Sequence, residues 1–164
     1  MGKSYNLYVS FAPCGCFSSF KNQDVDFLKE YKYWFLGLNW EQGFLGRTIL
    51  FLKAHKIDER ELTEAEVLEK HKIYCEWRDA IAQAFNPDKI NQSQLGNEEH
   101  VHKGHFHWHF VPRYRRPIVF GGMEFESDTP ETQKLSYSRV SKRGVCPKEV
   151  RQKIKEELVK YLGS

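Results

Sequence analysis

The chain reads as an α+β protein, an antiparallel sheet of about five strands with one long helix packed on it and a second helix at the C-terminal end. Three observations predict this. Apolar, aromatic-rich runs at 31–38 and 47–52, separated by the turn Trp40-Glu41-Gln42-Gly43, have the composition and length of an antiparallel strand pair. From Thr63 to Phe85, Ala65, Leu68, Ile73, Trp77, Ala80, Ile81 and Ala84 recur at helical steps, and Thr63 with Glu66 has the spacing of a capping box. His105-Phe106-His107-Trp108-His109-Phe110-Val111 alternates with period two, which only a strand resolves into an imidazole face and an apolar face.

The remaining elements follow in chain order. Residues 1–30 form an N-terminal extension with mixed aromatics, a Pro13-Cys14-Gly15-Cys16 turn and a short helix expected from Asp24 to Glu30. The core domain is expected over 31–114. Asn86-Pro87 closes the long helix, Lys89 to Leu95 reads as a strand, 96–104 as a loop and His105 to Tyr114 as the histidine strand. The last part, 115–164, is expected to pack on the core. It holds the Gly121-Gly122 pair, a polar stretch from Ser127 to Gly144 that reads as a surface loop, and Val150, Ile154, Leu158 and Leu162 at helical spacing after Cys146-Pro147.

At 164 residues one hydrophobic core is expected. Charged residues make up 29% of the chain and the net charge is +3, with no basic block, so charge gives no ground for nucleic-acid binding. The densest cluster, Arg113, Arg115 and Arg116, reads as a solvated strand end, or as a phosphate contact if such a substrate lies nearby. No apolar stretch is long enough to span a membrane and no signal pattern opens the chain, so a cytoplasmic protein without membrane partners is expected. The four cysteines, at 14, 16, 75 and 146, do not form a disulfide framework, since Cys75 falls within the predicted helix.

Three histidines in register on one face admit a solvated polar face, a metal site that includes His100 and His102, or a catalytic surface. The sequence is more specific than that. The run Phe85 to Asn91, then Leu95-Gly96-Asn97, then His105 to Tyr114, resembles the histidine triad (HIT) superfamily, whose signature alternates three histidines with apolar residues, and most closely its diadenosine tetraphosphate hydrolase-like branch. Asn39 to Gly46, the strand Thr48 to Leu52, Lys53-Ala54-His55 and Leu62 to Glu66 resemble the family's turn, central strand, Lys-x-His segment and helix start. The resemblance covers about residues 31–114 and leaves the tail unexplained.

The resemblance implies a HIT-like fold and a nucleotide hydrolase or nucleotidyl transferase, a dinucleoside polyphosphate being the first expected substrate. His107 would be the nucleophile on the α-phosphorus, giving a nucleotidyl-histidine that water resolves, with His109 contacting phosphate and His105 supporting the site from the side. Imidazole suits that role because its neutral form dominates at neutral pH. Asn97 resembles a phosphate-side asparagine and Asn39 a ribose contact; each also suits a simple turn. The chemistry requires no cofactor, although Mg²⁺ can accompany a polyphosphate. Many relatives carry Cys-x-x-Cys for structural zinc, which maps here to Cys14, Cys16, His55 and His105. One residue instead of two separates the cysteines, so two free thiols in a loop are the alternative.

Many relatives carry a Gly-Gln-Ser/Thr run before the triad; the diadenosine tetraphosphate hydrolase-like branch lacks it, but with a shorter loop than Glu98-Glu99-His100-Val101-His102-Lys103-Gly104 here, where Lys103, His102 or His100 can supply the lost donors. Relatives usually form homodimers, and a nucleotide-sized ligand and a second copy are the expected partners. The competing classes are a nucleotide-binding module without turnover and a His/Cys zinc protein.

Overall fold

The computed structural model describes residues 26–94, 105–128 and 146–163. The main sheet has five strands: β1 (Phe27–Glu30), β2 (Trp34–Leu38), β3 (Thr48–Leu52), β4 (Lys89–Ser93) and β5 (His107–Arg113), in spatial order β1-β2-β3-β5-β4 with every pairing antiparallel. The first three strands form a meander. After the long helix α1 (Glu64–Phe85), β4 takes the outer edge and β5 inserts between it and β3. A single 3-10 turn (Glu59–Glu61) ahead of α1, a small hairpin, β6 (Ile118–Phe120) with β7 (Met123–Phe125), and the helix α2 (Lys148–Val159) complete the described elements. The α+β class, the antiparallel sheet of five strands, the long helix and the C-terminal helix are as the sequence predicts.

Helix α1 starts where its residues can satisfy the free amides of its first turn. The Thr63 hydroxyl accepts from the Glu66 amide at 3.3 Å and the Glu66 carboxylate accepts from the Thr63 amide at 2.6 Å, the reciprocal pair of a capping box. Burial by itself would raise the Glu66 carboxyl, yet the bonds from Lys56, 2.6 Å away, and Thr63 leave it below its ordinary value. At the other end Asn86 adopts the left-handed conformation, φ 47°, and its amide closes the last turn.

The buried stripe of α1, Ile73, Trp77, Ala80 and Ile81, shares one core with Trp34, Leu36, Leu38, Leu50, Leu52, Phe106 and Phe110 from the sheet. Each such large side chain contributes about 1.5–3 kcal/mol when withdrawn from water. Val150, Ile154 and Leu158 of α2 enter the same core, as does Phe125.

Two expectations are corrected. Asp24 to Glu30 does not supply a helix at its described end: Phe27–Glu30 is an edge strand whose Glu30 pairs Phe35 across β1 and β2, because strand partners for it exist only in three dimensions. Arg113 is not a solvated strand end. It is buried, pairs with the Asp128 carboxylate at 2.6 Å and lies 4.1 Å over the Phe44 ring, whereas Arg115 and Arg116 are exposed. The β6–β7 hairpin around Gly121 and Gly122, with φ of 61° and 84°, has no counterpart in the sequence reading. The loop expected over Ser127 to Gly144 lies largely outside the described residues.

Candidate active site

Register decides which side chains meet. Phe51 stands opposite His107 and Ile49 opposite His109 on β3, while Ser93 stands opposite His109 on β4. Phe35 pairs with Phe51 across β2, so Phe35, Ile49, Phe51, His107 and His109 share the sheet face turned away from α1. Trp108 and Phe110 go to the helix side: Phe110 packs on Trp77 at 4.9 Å between ring centroids, and Lys70 sits 4.2 Å over the Trp108 ring. Trp108 thus lies on the helix side, away from the histidines, partly buried against the core.

The histidine face is not solvated. His105, His107 and His109 are 2%, 5% and 3% exposed, and Phe35, Ile49 and Phe51 make a second small apolar cluster beside them. Phe35 stacks on Phe51 at 5.2 Å, Phe51 on His107 at 5.3 Å, and His107 meets His109 edge-on at 5.0 Å.

Hydrogen bonding assigns the His107 tautomer. Its Nδ1 lies 2.7 Å from the His105 carbonyl oxygen, which can only accept, so Nδ1 carries a proton and the neutral ring has its lone pair on Nε2. Nε2 is buried and has no hydrogen-bond partner among the described residues. An unpartnered buried polar atom of this kind is a cost to the fold unless a ligand or a reacting atom meets it. His105, just before β5, donates from Nε2 to the Leu52 carbonyl at 2.5 Å and thereby ties the start of the triad to the end of β3.

His109 differs in charge preference. Burial, then the nearby Arg47 cation, then His107 bring its value down from 6.5 to about 3, so the ring is neutral at neutral pH and carries one N–H for donation. Neither of its ring nitrogens has a hydrogen-bond partner among the described residues.

The other expected residues fall into three groups. Asn39 is described, and its Oδ1 accepts from the Glu41 amide at 2.9 Å, so that atom serves the β2–β3 turn. His55 is exposed, with its ring 5.3 Å from that of His105. Cys14, Cys16, Asn97, Lys103, His100, His102, Glu98 and Glu99 lie outside the described residues. Among the described residues no group of three or more metal-binding side chains forms. His55 and His105 would contribute two donors of a zinc set, with His105 already committed at Nε2.

Arg47 was missed by the sequence reading. It follows Gly46 at the end of the turn and lies two residues before Ile49, on the histidine face by the period of the strand. The available signal was that period run backwards, but it needs the β3–β5 register to have meaning.

No family model matches this chain, and no curated protein matches it. Solved structures do. A hypothetical histidine triad nucleotide-binding protein from Sulfolobus tokodaii superposes with a TM-score of 0.62 at 20% identity, over 89% of this chain and 90% of that one. A zinc-bound histidine triad family protein from Mycobacterium smegmatis gives 0.55 at 16% identity, over 93% and 96%. The diadenosine triphosphate hydrolase of Plasmodium falciparum, in complex with cyclomarin A, gives 0.52 at 15% identity, over 84% and 76%. The chain has the fold of the histidine triad proteins. No helix among the described residues is long and apolar enough to cross a membrane.

Proposed function

We propose that this protein is a HIT-superfamily nucleotide hydrolase or nucleotidyl transferase that cleaves a phosphoanhydride, P–N or P–S bond at the α-phosphate of a nucleoside 5′-phosphoryl compound, a dinucleoside polyphosphate first among them. The observation that carries this is the His107 geometry, with Nδ1–H held by the His105 carbonyl and a buried Nε2 lone pair left over. Nε2 attacks the α-phosphorus, the bond from phosphorus to the leaving group breaks, and the departing group takes up a proton. Water then cleaves the phosphorus–Nε2 bond, releasing a nucleoside monophosphate and restoring His107. His109, neutral and without a hydrogen-bond partner among the described residues, donates to a phosphate oxygen, and His105 positions the strand.

The aromatic pair Phe35 and Phe51 beside His107 supports a site that receives a flat, apolar group such as a nucleobase. The resemblance adds Asn39 and Asn97 as substrate contacts, and Lys103 stands in for a donor lost with the family's Gly-Gln-Ser/Thr run. The resemblance also adds Cys14, Cys16, His55 and His105 as a structural zinc set, which agrees with the zinc-bound Mycobacterium smegmatis neighbour. Zinc there would cross-link the chain and would not touch the phosphorus. A homodimer through an outer strand suits the edge of β4, which has no further strand partner among the described residues, and a reducing, cytoplasmic compartment suits the free thiols of Cys75 and Cys146.

The test is turnover of diadenosine tri- and tetraphosphate, an adenosine phosphoramidate and adenylyl sulfate by native protein and His107→Ala, with and without chelator. Activity lost by at least about a thousandfold in His107→Ala and retained under chelation supports the assignment. Nucleotide binding without turnover in the native protein would replace it with a binding module.

A further inference from the structure

We propose that Arg47 is a substrate-binding residue of this site: its guanidinium takes the phosphate oxygens of the anionic substrate and is held by Glu41 when no substrate is bound. The proposal rests on the reading of the site as a phosphoryl-transfer centre built on His107.

Geometry comes first. The Asn39 amide donates to the Arg47 carbonyl at 3.0 Å, one step beyond the Leu38–Thr48 pair, so the backbone at Arg47 continues the β2–β3 ladder. Its side chain thus projects on the same face as Ile49, His109 and His107. The position is also unusually well fixed. Gln42, 1% exposed, donates from Nε2 to the carbonyls of Arg47 (2.5 Å) and Asn39 (2.7 Å) and accepts from the Gly46 amide at 2.9 Å. A buried amide that makes bonds on both sides of a turn removes slack from the residue at its end.

Charge comes second. Two arginines sit on this face, and they are committed differently. Arg113 meets the buried Asp128 carboxylate at 2.6 Å and the Phe44 ring, side chains 3% and 8% exposed. Arg47 meets Glu41 at 3.3 Å, with side chains 18% and 31% exposed. A longer, less buried contact is the easier one for a phosphate to displace. The field of Arg47 already reaches His109, where it helps keep the ring neutral. The cation that, after burial, favours neutral His109 therefore also supplies the positive charge that an α-phosphate and its leaving chain require.

If Arg47 and Glu41 only braced the turn, removing either would act in the same direction. As a substrate cation and its competitor, they act in opposite directions. The experiment measures AMP and adenosine affinity by calorimetry for native protein, Arg47→Gln, Arg47→Lys and Glu41→Gln, and also measures KM and kcat for the best substrate of the panel. We expect Arg47→Gln to weaken AMP about tenfold or more while adenosine is unchanged, Arg47→Lys to recover part of that, and Glu41→Gln to tighten AMP and lower KM.

AMP affinity moving the same way in Arg47→Gln and Glu41→Gln, or AMP and adenosine weakening equally, overturns the proposal. It is also overturned if AMP binding survives Arg47→Gln. Activity that persists in His107→Ala would instead sink the catalytic reading, and these outcomes are separable because the AMP measurement needs no turnover.

Discussion

His109 shows how one side chain couples site and stability. Its folded value of about 3 lies below the 6.5 of an unconstrained imidazole, so the unfolded chain takes up a proton first as pH falls. The stability it contributes is complete above about pH 6.5 and is lost progressively toward pH 3, at about 1.4 kcal/mol per pH unit. Urea titrations from pH 7.5 to 4.5 should show that loss, and His109→Gln should flatten the slope; an unchanged slope would remove His109 as its source. His107 was legible in the sequence as the middle of an alternating run. Its tautomer was not, because that depends on a carbonyl two residues back being turned toward Nδ1. Arg47 was not legible either, since an arginine after a glycine carries no mark of the strand it will face.

At the scale of elements, the turn between β2 and β3 decides where the cation lies. Gly46 has φ 82°, a conformation side chains rarely adopt, and a Cβ there would come within 2.5 Å of Ile81 Cδ1 and 3.1 Å of Phe85 Cδ2. Gly46→Ala should therefore destabilise by about 1–3 kcal/mol in urea unfolding and, by displacing Arg47, weaken AMP more than adenosine. Wild-type stability in that variant would show the turn to be slack. Helix α1 was readable almost to the residue because capping box, apolar period and Asn-Pro stop agree. Strand β1 was not, since Phe27–Glu30 has no period of its own and is an edge strand only because Phe35 and Leu36 are there to pair with it.

For the whole molecule, an ion pair adds to the apolar packing that holds α2 against the sheet. Arg151 of α2 meets Asp26, just before β1, at 2.7 Å and also donates to the Cys146 carbonyl at 2.7 Å. Asp26 is 1% exposed, and burial outweighs Arg151 in raising its carboxyl above the ordinary value. Removing one partner should cost more than removing both: Asp26→Asn should destabilise by about 3 kcal/mol, and the Asp26→Leu, Arg151→Met double variant by less. A double-mutant cycle in urea measures this directly, and a double variant worse than the single would refute it.

The sequence by itself determined the class of fold, the long helix and the histidine strand, because period, capping and turn residues are local properties that neighbours in the chain express together. It also marked the three imidazoles as one face. Only the tertiary structure decided that this face is buried beside Phe35 and Phe51, that His107 keeps its lone pair on Nε2, that Arg113 is spent on Asp128, and that Arg47 stands on the face of His109. Each of those depends on strand register and on groups far apart in the chain, and a change of one residue in register would turn every one of these side chains to the other face.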